Sequence, residues 1–255
     1  MRIEIHYVEP SRFLPGPRPR KIVAGGRSST WRGIILIYPL NPRAVQNLMT
    51  KFPTVSVLDN YDEVELDSIN PDEDRGIGAM VRHLKELGHR SIGFLTWKYS
   101  IETPWVERRL GAYVGNLYRL GLEFDPDLVL NVRHEEQISL EGLAEKVAHL
   151  VQQGVTAWVC AADHQAYHLI NELNKYGVSV PRDCSVTGFD GIKPPLGAPQ
   201  VTTVGIPFKD MGISSVVSLQ RRISQPTAPR RHIQISGKKI AGTTSAPLSL
   251  PAPLN

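Results

Sequence analysis

Short apolar runs alternate along this chain with segments in which apolar residues recur every three or four positions. The first pattern predicts buried strands and the second predicts amphipathic helices. The predicted strands are residues 3–8, 33–39, 54–60, 91–96, 128–132, 157–160, 185–189 and 202–207, with a closing pair at 232–236 and 237–242. The predicted helices are residues 44–52, 71–87, 105–120, 139–153, 164–176 and 210–223. This alternation predicts an α/β fold with parallel sheets flanked by helices.

Several element boundaries carry their own signals. Four glycines directly follow predicted helices and are expected to end them: Gly88, Gly121, Gly154 and Gly177. Before the helix 71–87, Asn70 is expected to be the N-cap and Pro71 the first helical residue, with Asp72 and Glu73 in the first turn. The continuous apolar run at 33–39 is typical of a parallel strand that is covered on both faces.

The most informative segment is residues 156–192, TAWVCAADHQAYHLINELNKYGVSVPRDCSVTGFDGI. An apolar strand ends near Asp163, a helix follows, and a second apolar strand ends at Asp190. Parallel strands joined by a helix place their carboxyl ends at one edge of a sheet, where ligands bind in open α/β folds. The segment therefore predicts a binding crevice with carboxylates at the strand ends.

Composition fits a globular protein of one domain or two lobes, since the 255 residues are 41% apolar and 21% charged. No apolar run approaches the roughly 20 residues that span a bilayer, and the N-terminus lacks the apolar block of a signal peptide. We therefore expect a cytoplasmic protein without a membrane partner. Cys160 and Cys184 are expected to be reduced, buried thiols. The net charge of +4 favours a solvated basic surface, with a nucleic-acid contact as the alternative.

Catalytic signatures are missing from the sequence. It has no GxSxG motif, no Walker-type phosphate loop and no GxGxxG after a strand, so we expect that the protein is not an enzyme. His164 and His168 have a spacing that can ligate zinc, but Asp163 is the one further ligand nearby in the sequence. No metal and no cofactor are therefore expected.

Four phrases, in this order and with matching gaps, resemble the effector-binding core of LacI/GalR-type bacterial transcription regulators. They are VRHLKELGHRSIGFL, ERRLGAYVGNLYRLGL, the segment 156–192 and QVTTVGIPFKDMG. The resemblance extends from about residue 52 to residue 247. It implies a periplasmic-binding-protein type I fold, in which two α/β lobes hold a small molecule between them.

The resemblance also implies how the chain is divided. The N-terminal lobe is expected to comprise residues 1–69 and 205–232, the C-terminal lobe residues 70–204 and 233–247, and residues 248–255 a frayed tail. The first strand and helix of the family fold are expected to be missing from the sequence as given. No run before residue 52 has the pattern of the family's helix-turn-helix either, because residues 13–26 are too rich in proline and glycine.

The family's effector-binding positions can be carried over one at a time. Arg109 matches an arginine that reaches effector hydroxyls or carboxylates, although by its sequence context it could be a solvated charge on a helix. Asp190 matches a ligand acceptor, or alternatively serves a turn. Asp163 matches another acid of the site, or alternatively caps the following helix. Phe208 matches an apolar residue that closes the pocket.

Trp97 is a further candidate because it follows the strand at 91–96, where it could stack on a flat ligand or simply pack. The sequence departs from the family at Ala162, where asparagine is usual, and at Gly191, where a second acid is usual. These departures leave the effector's identity open.

The resemblance implies an effector-sensing core that binds a small polar molecule, a sugar or related metabolite, and transmits this to DNA binding. A homodimer is expected, with operator DNA contacted only through an N-terminal domain not seen in this sequence. The alternative is a free-standing cytoplasmic small-molecule binding protein with no role on DNA.

Overall fold

A computed structural model of the chain describes residues 31–37, 40–61, 64–97, 104–130 and 138–248. The chain divides into two compact units, one of Met1–Pro71 with Phe208–Ile235 and a larger one of Asp72–Pro207 with Ser236–Asn255. Each boundary lies two or three residues later than the sequence predicted. The predicted strand at 3–8, most of the predicted tail and part of the strand at 128–132 lie outside the described residues.

The smaller unit is a parallel sheet with helices. Its elements are β1 (Ile34–Ile37), α1 (Pro42–Met49), β2 (Thr54–Val57), β3 (Asp67–Pro71), α6 (Phe208–Ser224) and β9 (His232–Ile235). The sheet order is β1-β2-β3-β9, and every neighbouring pair is parallel. Helix α6 packs against the first three strands. The apolar cluster beside α1 contains Leu36, Val45, Leu48, Tyr61, Val64 and Leu66.

Strand β3 was not predicted, because three of its five residues are polar. Asp67 is nevertheless buried, since it accepts hydrogen bonds from the Arg222 side chain at 2.8 and 3.1 Å and from the Arg231 N–H at 2.9 Å. The predicted start of the following helix was also wrong, because residues 70 and 71 belong to this strand. Pro71 ends the strand, and Asp72 rather than Asn70 is the N-cap of the next helix.

The prediction that the first apolar run is covered on both faces was wrong for strand β1. Leu36 is buried, but Ile37 is 68% exposed. Among the described residues, β1 has a single strand neighbour, β2, and therefore lies at the edge of the described part of the sheet.

The larger unit is also α/β. Its elements are α2 (Glu73–Glu86), β4 (Ile92–Leu95), α3 (Pro104–Arg119), β5 (Val129–Leu130), α4 (Leu140–Gln152), β6 (Ala157–Cys160), α5 (Asp163–Leu173), β7 (Ser185–Thr187), β8 (Thr203–Gly205) and β10 (Lys238–Ile240). The parallel sheet has the order β5-β4-β6-β7. The glycines predicted to end helices are confirmed, since all four have positive φ angles directly after a helix or its last turn. The free thiols of Cys160 and Cys184 are buried, as predicted.

The predicted pairing of the last two strands with each other was wrong. Strand β9 pairs with β3 in the smaller unit, whereas β10 pairs antiparallel with β8 in the larger unit. The two strands are neighbours in sequence but lie in different units, because the chain passes from one unit to the other between Ile235 and Ser236.

The chain after β10 is held against the larger unit. His89 contacts the Thr156 hydroxyl at 2.9 Å, the Ser185 hydroxyl at 3.0 Å and the Ala246 carbonyl at 3.1 Å. The Leu248 N–H donates to the Leu87 carbonyl at 2.8 Å, so residue 248, which was predicted to be frayed, is held by a backbone hydrogen bond. In the described part of the chain, no helix combines the length and the apolar character that crossing a bilayer requires.

Candidate functional site

Three of the predicted site residues meet in the larger unit. Strands β6 and β7 are parallel neighbours, so Asp163 and Asp190, which follow them, lie at the same edge of the sheet. Arg109 comes from the second turn of α3 and lies between these strand ends, because its guanidinium donates to the Ala161 carbonyl and pairs with the Asp190 carboxylate at 3.1 Å. The predicted clustering of polar groups at this edge is confirmed.

Arg109 is almost completely enclosed, with 4% of its surface exposed. Its guanidinium carbon lies 4.0 Å from the Phe189 ring centroid and 4.6 Å from the Trp105 ring centroid. Both rings therefore stabilise the cation through their π faces. The interpretation of Arg109 as a solvated surface charge is wrong for this structure.

Glu73 belongs to this site but was not recognised from the sequence. It begins α2, is 5% exposed, accepts a hydrogen bond from Arg108 at 2.6 Å, and lies 3.5 Å from the Arg109 Nε. The sequence showed it as one of the acids in the first turn of a helix, which is an ordinary position for a carboxylate. Its contact with α3 depends on how the two helices pack, which local sequence does not reveal.

Asp190 presents a carboxylate that is still reachable, since its side chain is 20% exposed. The Asp190 backbone has a φ of 122°, which is unusual outside glycine. This backbone is held by hydrogen bonds to Val204 in β8 and to Ile206, which follows β8. Burial raises the pKa of Asp190 to about 6, against the opposing effect of the Arg109 charge. The site therefore contains an acceptor that ionises close to neutral pH.

Asp163 is fully buried and holds the loop after β7 in place. One of its carboxylate oxygens accepts the N–H groups of Gly191 at 2.6 Å and Ile192 at 2.9 Å. Burial raises the pKa of the Asp163 carboxyl, although these N–H donors oppose the shift. The alternative of a helix cap was wrong, because α5 begins at Asp163 itself and its N-cap is Ala162. The Gln165 side chain accepts the Ala162 N–H instead, at 3.1 Å.

Trp97 follows β4 and packs on α5. Its ring lies edge-on to His164 at 4.7 Å and to His168 at 5.6 Å between centroids. Burial, together with the nearby charge of Arg109, lowers the pKa of His164. Trp97 thus has a packing role at the sheet edge, and its contact with a ligand stays a prediction.

Phe208 does not belong to this unit. It is the first residue of α6 in the smaller unit and is 58% exposed. Its predicted role in closing a pocket stays a prediction.

One of the two departures from the family pattern has a structural reason. Gly191 has a φ of 73°, and a Cβ placed there would lie 2.4 Å from the Gly205 Cα, so a second acid does not fit this backbone. Ala162 is 1% exposed and is the N-cap of α5, two residues after the end of β6. Neither position offers the side-chain polar group found in the family.

This arrangement can bind a small polar molecule. Asp190 can accept hydrogen bonds from hydroxyl or amine groups, and Arg109 offers a planar set of donors fixed by two rings. Within the described residues, no group of three or more histidine, cysteine, aspartate or glutamate side chains could hold a metal ion.

Comparison with known proteins shows which family the chain resembles. Residues 81–245 match the periplasmic binding protein-like domain family. The chain is 32% identical over 191 residues to the HTH-type transcriptional regulator MalR of Streptomyces coelicolor, in an alignment covering 72% of this chain and 54% of MalR. It therefore spans about half the length of the curated relatives it matches.

Solved structures share the fold, among them the following two. A LacI family regulator from Enterococcus faecium with bound ribose has a TM-score of 0.64 and 23% identity, covering 81% of this chain and 76% of its own. The Lac repressor dimer bound to operator and the anti-inducer ONPF has a TM-score of 0.68 and 23% identity, covering 86% and 75%.

These relatives are transcriptional regulators and not enzymes, and they give no support to the alternative of a free-standing binding protein. The family match covers more than half of the chain and agrees with the two α/β units. The chain accordingly belongs to the periplasmic binding protein-like domain family.

Proposed function

We propose that this chain is the effector-sensing part of a transcription regulator and binds a small hydroxyl-bearing molecule, such as a sugar. The observation that carries the proposal is the pair of Arg109 and Asp190 at the carboxyl edge of the sheet in the larger unit. One partner is a fixed donor and the other a partly exposed acceptor, so together they match a hydroxyl group, which both donates and accepts.

The neighbouring residues have supporting roles in this proposal. Phe189 and Trp105 fix the plane of the Arg109 guanidinium, and Asp163 fixes the backbone after Asp190. Preorganised groups of this kind bind more tightly because they lose little freedom when the ligand arrives. Trp97 and Phe208 are proposed as apolar contacts for the effector.

The relatives supply the biological part of the proposal. MalR is a helix-turn-helix regulator, and solved structures with this fold contain ribose or operator DNA. We infer that this chain acts in the cytoplasm as a homodimer, and that operator DNA is contacted through a separate domain. Effector binding would favour one of two conformations of the protein and so change its affinity for DNA.

A thermal-shift screen of sugars, polyols and nucleosides tests the proposal. At least one compound is expected to raise the unfolding temperature, because a ligand that binds only the folded state stabilises it. Arg109→Ala should then lose roughly 1.5–3 kcal/mol of binding free energy by calorimetry, the range for a hydrogen bond to a charged group. Arg182→Ala is the matched control, since Arg182 is an exposed arginine paired with Asp183 at 3.1 Å. Unchanged affinity in Arg109→Ala would remove Arg109 from the site.

A further inference from the structure

Carboxyl groups outnumber guanidinium groups around Arg109. Glu73 and Asp190 both pair with this arginine, and the Asp163 carboxylate accepts N–H groups from the loop that follows Asp190. The cations in contact with these carboxylates, in the described part of the chain, are Arg108 and Arg109. Three carboxyl groups therefore stand against two guanidinium groups.

The capacity of Arg109 to attract an anion is already largely used. Its guanidinium donates to the Ala161 carbonyl and lies between two carboxylates, at 3.1 Å from Asp190 and 3.5 Å from Glu73. An anionic ligand near Arg109 would also lie near Asp190, whose carboxylate is the more exposed of the pair. The attraction from the arginine would thus be opposed by repulsion at a similar distance.

Two other sources of positive charge at this edge are also weakened. His164 is the first residue after Asp163 on α5, and its pKa is lowered by burial and by Arg109, which favours the neutral ring at neutral pH. The positive end of the α5 helix dipole carries the Asp163 carboxylate on its first residue. Neither group compensates for the excess of carboxylates.

We propose that Glu73 and Asp190 make this site selective for effectors without net negative charge, such as neutral sugars or amine-bearing sugars, over phosphorylated or acidic ones. This inference rests on the proposed sensing function. It names the charge class of the effector and assigns Glu73 the role of a specificity-determining residue that acts through Arg109.

Calorimetry with matched ligands tests the charge selectivity on the intact chain. The probes are ribose and ribose 5-phosphate, glucose and glucose 6-phosphate, glucose and gluconate, and glucosamine, each at up to millimolar concentration. For any pair in which one member binds, the anion is expected to bind at least about tenfold more weakly than its neutral parent, a difference of roughly 1.4 kcal/mol. Tighter binding of an anion would overturn the charge selectivity while leaving effector sensing intact. If neither these probes nor any compound of the thermal-shift screen binds, the sensing function itself fails, and this inference fails with it.

A matched pair of variants identifies the group responsible. Glu73→Gln removes one of the carboxylates while keeping the side-chain volume, and it should reduce the preference for the neutral ligand by several-fold. Glu172→Gln is the control, because Glu172 on α5 is also buried in the larger unit but pairs with Lys175, two residues after the end of the helix, at 2.7 Å. An unchanged preference in Glu73→Gln, with Glu172→Gln also unchanged, would show that Glu73 has no part in selectivity.

Salt dependence gives a second measurement that needs no variant. Added salt screens charges, so the deficit of the anionic ligand should shrink between roughly 0.01 and 0.5 M salt, while binding of the neutral parent changes little. A deficit that is independent of salt would indicate a steric cause and would contradict the proposal.

Discussion

Arg109 is positioned by residues that are distant in sequence, including Glu73 on α2, Ala161 after β6 and Phe189 after β7. A buried arginine is costly unless its charge is paired and its donors are used. Here carboxylates pair with the charge, and two aromatic rings contact the guanidinium. The residue can therefore stay fixed in place without a ligand.

The ionised Asp190 carboxylate is expected to lower the free energy of unfolding at neutral pH. Because its folded-state pKa of about 6 is higher than the usual value, its contribution to stability is present at low pH and is lost as pH rises through about 6. Asp190→Asn should therefore be about 1–3 kcal/mol more stable than the parent at pH 7.5, with a smaller difference at pH 5. Urea unfolding at both pH values measures this. A variant that is less stable by the same amount at both pH values would contradict the assignment.

Gly191 should not tolerate a side chain. Gly191→Ala would place a Cβ 2.4 Å from the Gly205 Cα at a φ of 73° and should cost about 2–4 kcal/mol of unfolding free energy. Gly197→Ala is the matched control, because Gly197 has a φ of 80° but no atom within 4 Å of the added Cβ. Chemical denaturation of both variants separates the two effects. Equal losses would mean that only the backbone angle matters.

At the scale of elements, the chain after β10 is joined to the larger unit by polar groups. Thr244 donates its hydroxyl to the Val186 carbonyl, the Ser185 hydroxyl accepts the Ala246 N–H, and His89 contacts the same region. These bonds connect segments that are far apart in the sequence. These hydrogen bonds hold residues 244–246 in place although this segment has no regular secondary structure.

His89 is expected to stabilise this connection only in its neutral form. Burial lowers its pKa, so its contribution is present above the unfolded pKa near 6.5 and is lost as pH falls through the lower folded value. His89→Ala should cost about 2–3 kcal/mol at pH 7.5, because buried partners lose their hydrogen bonds, and less at pH 5. His149→Ala, at an exposed histidine on α4, should cost little at either pH. Thermal unfolding of the three proteins measures this, and an equal loss in the two variants would contradict the role of His89.

At the scale of the whole molecule, both compact units have a parallel sheet and an apolar core of their own. The smaller unit also exposes several large apolar side chains, namely Ile37, Phe208, Ile213 and Val217. Exposed apolar surface of this kind often marks contacts between proteins. It agrees with the homodimer that we propose.

A dimer that uses the segment 33–49 should depend on Ile37, which is 68% exposed on strand β1, at the edge of the described part of the sheet. Ile37→Arg is expected to shift the protein towards monomer, since a symmetric interface contains each substitution twice. Tyr118→Arg is the control, because Tyr118 is 86% exposed on the larger unit. Light scattering across a range of concentrations measures the association. A wild-type monomer at roughly tens of micromolar would contradict the dimer.

Local patterns in the sequence determined the α/β class, the glycine-ended helices and the carboxylates at the strand ends. Each of these features depends on residues within about ten positions of one another, where apolar periodicity reports which side of an element is buried. The resemblance to LacI/GalR regulators then made Arg109 and Asp190 candidate effector-binding residues, because the matching phrases carry both residues in order.

Only the tertiary structure decided the features that depend on distant partners. A polar strand such as β3 is buried because Arg222 reaches Asp67, and β9 and β10 separate because their strand partners lie in different units. Glu73 lies in the site, and Asp163 holds the loop after β7, because each contacts residues 28 or more positions away in the sequence. Such contacts depend on packing and electrostatic interactions between distant parts of the folded chain. The sequence next to each residue therefore does not predict its partner.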